Sequence, residues 1–131
     1  MSEVYKDWLL SAEMDIENVR VISGNELLTP IAIFHSHQCI EKSFKAYLEY
    51  HNKDVPKTHD LLRLFGIAKK ACLFNSSLDE ESLIAINEAY IDTRYPGDFG
   101  LLPDGKPSIE IAEKMYGLAS KVLEDVKKEI N

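Results

Sequence analysis

TPIAIFHSHQCIEKSFKAYLEYH, residues 29–51, decides the fold. Ile33, Ile40, Phe44, Tyr47 and Leu48 recur at spacings of three, four and seven residues, which gathers them on one face of a helix rather than one side of a strand. Pro30 suits a first helical turn and Thr29 is the expected N-cap, so the helix is predicted from Pro30 through His51. Ala32, Cys39 and Ala46 repeat every seven residues along it. Small side chains in register let a neighbouring helix approach closely, either inside a bundle or at a dimer seam.

Helical periodicity extends in both directions from this segment. Upstream, Val4, Trp8, Ala12, Ile16 and Val19 share one face of a helix expected from about Val4 to Ile22, ending near Gly24. Downstream, Asn52 to Thr58 is polar and contains Pro56, so it is a connection, and a third helix is predicted from about His59 to Cys72 around Leu61, Leu64, Phe65 and Ala68. Asp79-Glu80-Glu81 reads as the acidic first turn of a fourth helix, with Leu83, Ile86, Ala89 and Tyr90 on its apolar side and its end just before Pro96. Prolines and glycines crowd the span from Tyr95 to Pro107 and demand a loop. A last helix from about Ser108 to Ile130 carries Ile111, Met115, Leu118, Val122 and Val126. The expected architecture is all-α, an up-and-down bundle of four to five helices forming a single domain over residues 1–131.

A formal net charge of −7 argues against sequence-independent binding to duplex DNA, which rests on many cationic contacts to phosphate. Cys39 and Cys72 lie in apolar helical patterns without zinc-finger spacing and are expected to be buried thiols. No basic segment followed by an apolar run opens the chain and no stretch reaches membrane-spanning length, so a cytoplasmic location without membrane contact is expected.

Chemistry concentrates in two places. Asp92-Thr93-Arg94-Tyr95-Pro96-Gly97-Asp98 puts a guanidinium, a phenol and a carboxylate where a helix is stopped by proline, and an arginine on a rigid support suits an anion. On the second helix, His35, Gln38, Lys42, Lys45 and Glu49 form a polar ridge opposite the apolar face. One reading is a solvated face with Gln38-Lys42 and Lys45-Glu49 contacts. The other makes it one wall of a groove in which Lys42 and Arg94 share an anionic ligand. Asp15 falls inside an apolar stripe and needs a cationic partner, for which Lys42 and Arg94 are the candidates. His35 and His37, two residues apart, project to different sides, unlike a zinc pair, and His59 suits capping or packing at the start of the third helix. Glycine-rich phosphate loops, nucleophile elbows and metal-ligand motifs are missing from the sequence, so neither a metal nor a cofactor is expected.

Taken in order, Trp8, Ala12 and Asp15, then His37-Gln38 with Glu41-Lys42 and Lys45-Ala46, then His59-Asp60-Leu61, then Arg94-Tyr95-Pro96, the chain resembles the HEPN family over most of its length. That resemblance implies a helical bundle that dimerises, with the second helix and the arginine-bearing helix lining a cleft. Many stand-alone members are encoded beside a minimal nucleotidyltransferase and bind a nucleotide or assist that partner. Others are toxins that cut RNA and carry an arginine followed four to six residues later by a histidine. Here no histidine follows His59. The expected function is therefore non-catalytic: binding of a nucleotide or other anion through Arg94, Lys42, Tyr95, Asp98, His35, Gln38 and Lys45, with Asp15 as electrostatic support, assistance to a nucleotidyltransferase, and membership of a toxin–antitoxin pair. Two alternatives stand beside it, a metal-independent ribonuclease toxin in which a displaced histidine such as His35 serves, and a purely structural dimeric scaffold.

Overall fold

The computed structural model describes residues 3–94 and 106–130, with the backbone alone for residues 92–94. Five α-helices follow one another: α1 (Val4–Ile22), α2 (Thr29–Tyr50), α3 (Leu61–Cys72), α4 (Glu80–Arg94) and α5 (Ile109–Ile130), with one 3-10 turn at Glu26–Leu28 before α2. The all-α bundle expected from periodicity is the fold observed, without strands among the described residues. Helix α2 is its centre and packs against each of the other four helices, while α1 and α5 meet each other far less than either meets α2.

The local chemistry accounts for the boundaries. Helix α2 begins at Thr29, one residue before the predicted start, because the 3-10 turn runs directly into it. Gly24 supplies the positive φ of 84° in the turn after α1, a conformation that costs a residue with a Cβ more than it costs glycine. Helix α3 starts at Leu61 and not at His59, since Asp60 is extended and its carboxylate accepts from the amides of Leu62 at 3.1 Å and Arg63 at 3.4 Å. Ser108 does the same for α5, with Oγ accepting from Ile111 N at 3.1 Å.

The core joins Ala12 of α1, Ile33, Ile40, Phe44 and Leu48 of α2, Leu61, Leu64 and Phe65 of α3, Leu83 and Ile86 of α4, and Ala119, Val122 and Val126 of α5. Phe44, Phe65 and Phe74 form a ring cluster with centroids 5.8 to 6.3 Å apart. The heptad of small residues on α2 is filled from within the chain: the Cys39 thiol lies 3.9 Å from the Ala119 carbonyl of α5, and Ala32 clusters with Ala112. That seam serves the bundle and is closed to a second copy. The Tyr47 hydroxyl lies 3.0 Å from the Cys72 carbonyl and 3.1 Å from the Glu129 carboxylate, tying the end of α3 to α5.

Asn87 of α4 links three helices. Its carbonyl oxygen accepts from Leu61 N and from the His37 ring, each at 3.2 Å, and its amide donates to Asp60 at 3.0 Å. Replacing Asn87 with alanine leaves two donors unmatched in a part-buried place, so Asn87→Ala should destabilise the chain by about 2 to 3 kcal/mol in urea unfolding. A loss under about 0.5 kcal/mol, the size of an ordinary surface substitution, would mean that Asn87 does not hold α2, α3 and α4 together.

Candidate functional site

The polar ridge of α2 is neither a solvated face nor a set of free cations. Lys42 Nζ lies 2.7 Å from Asp15 Oδ2, and the His35 ring donates from Nδ1 to Asp15 Oδ1 at 2.8 Å. Lys45 Nζ lies 2.9 Å from Glu41 Oε2, and His59 Nδ1 lies 2.9 Å from Glu41 Oε1, to which Gln38 adds a long contact at 3.5 Å. The Gln38-Lys42 and Lys45-Glu49 pairs expected of a solvated face do not form. Both carboxylates are buried, and an ion has to find its partners there. Each therefore has one lysine and one imidazole at 2.7 to 2.9 Å, and the pattern occurs twice along α2.

His37 lies inside, fully buried, and stacks on Tyr90 of α4 with centroids 3.7 Å apart and planes 11° from parallel. Tyr90 also stacks on Phe34 at 5.6 Å. With Leu61 N already donating to Asn87 Oδ1, that oxygen acts as acceptor, so His37 donates from Nε2 and its Nδ1 faces Glu41 Oε1 at 4.0 Å. Lys45 also passes 5.5 Å above the Trp8 ring, a cation–π contact that draws α1 into the second cluster.

The structure thus separates the residues singled out from sequence. His35 and Lys42 meet on Asp15, whereas Lys45 and Gln38 meet on Glu41. Arg94 ends α4, one helical turn beyond Tyr90. Tyr95 and Asp98 lie outside the described residues. Glu41, His59, His37 and Asn87 are the polar groups that sequence reading passed over as functional. The spacing of Glu41 and Lys45, four apart along the helix, was the available signal for a pair. Cys39 is buried, and burial pushes its thiol up to about 12. Cys72 is only half-buried, less than its apolar pattern implied, because it closes α3 where the chain turns away. No group of three or more His, Cys, Asp or Glu side chains among the described residues is arranged to hold a metal ion.

A profile of the HEPN domain matches residues 5–130. The chain belongs to the HEPN family. Two solved structures share this HEPN fold: an archaeal HEPN homologue, ST0689, at 22% identity with all of each chain covered and a TM-score of 0.71, and TT1696 from Thermus thermophilus, at 22% identity over 97% of this chain and 98% of that one with a TM-score of 0.75. No curated protein matches the sequence. Among the described residues, no helix of this HEPN chain is long and apolar enough to cross a membrane.

Burial lowers the His37 imidazole from 6.5 to about 4, against the opposing pull of Glu41 and of the hydrogen bond to Asn87. As pH falls below about 6.5 the unfolded chain takes up a proton here that the folded chain refuses until about 4, so this stability is complete above that window and lost across it. At ~1.36 kcal/mol per pH unit the loss is about 3 kcal/mol. His37→Gln retains an amide for Asn87 but cannot titrate, so between about pH 7 and about pH 4 it should lose about 3 kcal/mol less stability than the native chain in urea unfolding.

Proposed function

We propose that this HEPN protein binds the phosphate of a nucleotide at the C-terminal end of α4, with Arg94 as the cationic clamp, and does so without catalysing a reaction on it. The observation that carries the reading is the commitment of the other candidate cations: Lys42 and Lys45 are each held against a buried carboxylate at 2.7 and 2.9 Å. That leaves no lysine of the ridge for a ligand and turns the reading to Arg94. Its support is rigid one turn earlier, where Tyr90 stacks on His37 and Phe34 and Asn87 fastens α4 to α2 and α3. A guanidinium presents a planar fork of donors that matches two phosphate oxygens. Lys42 and Asp15 become structural in this reading.

The same reading gives the protein two partners, a second copy of itself and a nucleotidyltransferase, the latter pairing making it one half of a toxin–antitoxin unit. A self-association surface has physical support on the outer side of α1. Leu10, Met14 and Val21 lie within about 40° of one another around the helix and are 59, 65 and 67% exposed. Leu27, in the turn that follows, is 70% exposed. Several large apolar side chains exposed on one side of a small domain are the kind of surface that a partner covers.

Titration of a fluorescent ATP analogue should show Arg94→Ala weakening binding at least about tenfold, the scale of a lost charge-assisted bond, with the melting temperature nearly unchanged. Unfolding of that variant would make Arg94 a structural bridge and sink the reading. In sedimentation velocity, Met14→Glu should convert a dimer to a monomer without loss of helicity. A dimer that persists in that variant would put the interface elsewhere.

A further inference from the structure

His59 differs from the other three histidines in what its two ring nitrogens face. Nδ1 lies 2.9 Å from Glu41 Oε1, and a carboxylate only accepts, so in the neutral ring Nδ1 carries the proton and Nε2 the lone pair. The side chain is 55% exposed although its partner carboxylate is buried. Nε2 makes no hydrogen bond to another described residue. His35 is also held by a carboxylate but is only 27% exposed, His37 is sealed in the core, and His51 has its Nε2 buried.

The backbone around this ring is held from both sides. Asp60 N donates to Thr58 Oγ1 at 3.1 Å, the Asp60 carboxylate caps α3, and Asn87 binds both Leu61 N and Asp60 from α4. Lys45, 2.9 Å from Glu41, balances the charge of the carboxylate that orients the imidazole. Lys57 and Arg63, two and four positions from His59, are exposed and have no carboxylate partner among the described residues, unlike Lys42, Lys45 and Lys127. Two exposed cations close in sequence to an oriented imidazole, set against the adjacent carboxylate of Asp60, favour the approach of a phosphoryl donor.

We propose that His59 Nε2 is a phosphoryl-accepting nucleophile, a modification site independent of the Arg94 reading, whose co-reactant is a phosphoric anhydride or phosphoramidate donor. The Nε2 lone pair forms a bond to phosphorus while the bond from phosphorus to the leaving group breaks, and the leaving oxygen or nitrogen departs with that electron pair. The ring becomes a phosphoimidazolium, and its Nδ1–H shares the positive charge with Glu41. Glu41 is a positioning residue, which blocks Nδ1 and aims Nε2 outward.

The test uses the full chain and potassium phosphoramidate, from which ammonia leaves, with sites and ring isomers read by peptide mapping under alkaline conditions and phosphorus NMR. His59 should acquire the phosphoryl group on Nε2 at least about tenfold faster than His35 in the same molecule, and Glu41→Gln should slow it roughly tenfold and raise the share of the Nδ1 isomer, as expected when a group that orients an imidazole is removed. Should Glu41→Gln fail to fold, the comparison with His35 and the isomer in the native chain still decides. Equal labelling of the accessible histidines, an Nδ1 product, or an unchanged rate in folded Glu41→Gln would each overturn the proposal.

Discussion

Burying a helix on nearly all sides while it carries charged side chains is the constraint on which this structure depends. Helix α2 buries Glu41 and Lys45 and partly buries Lys42 among its neighbouring helices, and an unpaired buried ion would cost several kcal/mol. Packing alone would allow α1 to slide along α2. The pairing of Asp15 with Lys42 and His35 selects one register, because a shift of α1 by one turn, about 5.4 Å, breaks both contacts, while Glu41 and His59 fix the start of α3 against α2. Such pairs add little net stability over apolar residues of the same shape, but breaking one by removing a partner costs about 3 to 5 kcal/mol.

The second carboxylate cluster reaches the opposite side of the bundle through hydrogen bonds and ring contacts. Glu41 holds His59 just before α3, His59 precedes the Asp60 cap, and Asp60 meets Asn87 of α4. Asn87 returns to His37 on α2, which stacks on Tyr90. Helix α4 is weakly amphipathic in sequence, so these polar and aromatic contacts carry much of what places it. They also make the turn that leads to Arg94 a fixed platform. The anion-binding proposal and the proposed nucleophile at His59 thus draw on one scaffold, although they concern different atoms and different chemistry.

Much of the fold was readable in the sequence because it rests on local rules. Apolar recurrence at helical spacing located all five helices to within about two residues. Departures came where a side chain caps or a turn runs on: Asp60 delayed α3 past His59, and the turn at Glu26–Leu28 brought α2 forward to Thr29. The need of Asp15 for a cation was legible too, since a carboxylate in an apolar stripe cannot be left alone. Reading the polar ridge as a single surface failed, because His35 and Lys42 turn to α1 while Lys45 turns with Glu41 toward Trp8 and the start of α3.

Sequence by itself determined an all-helical fold, the apolar face of each helix and the family to which the chain belongs. These follow from periodicity, capping and motif order, which act over a few residues along one helix. Tertiary structure alone decided which cations are consumed by buried carboxylates, which imidazole keeps a nitrogen open to solvent, and that the small-residue seam of α2 is filled by α5. Those outcomes depend on the rotation and offset of helices brought together by burial, and side chains distant in sequence meet only after that geometry is set.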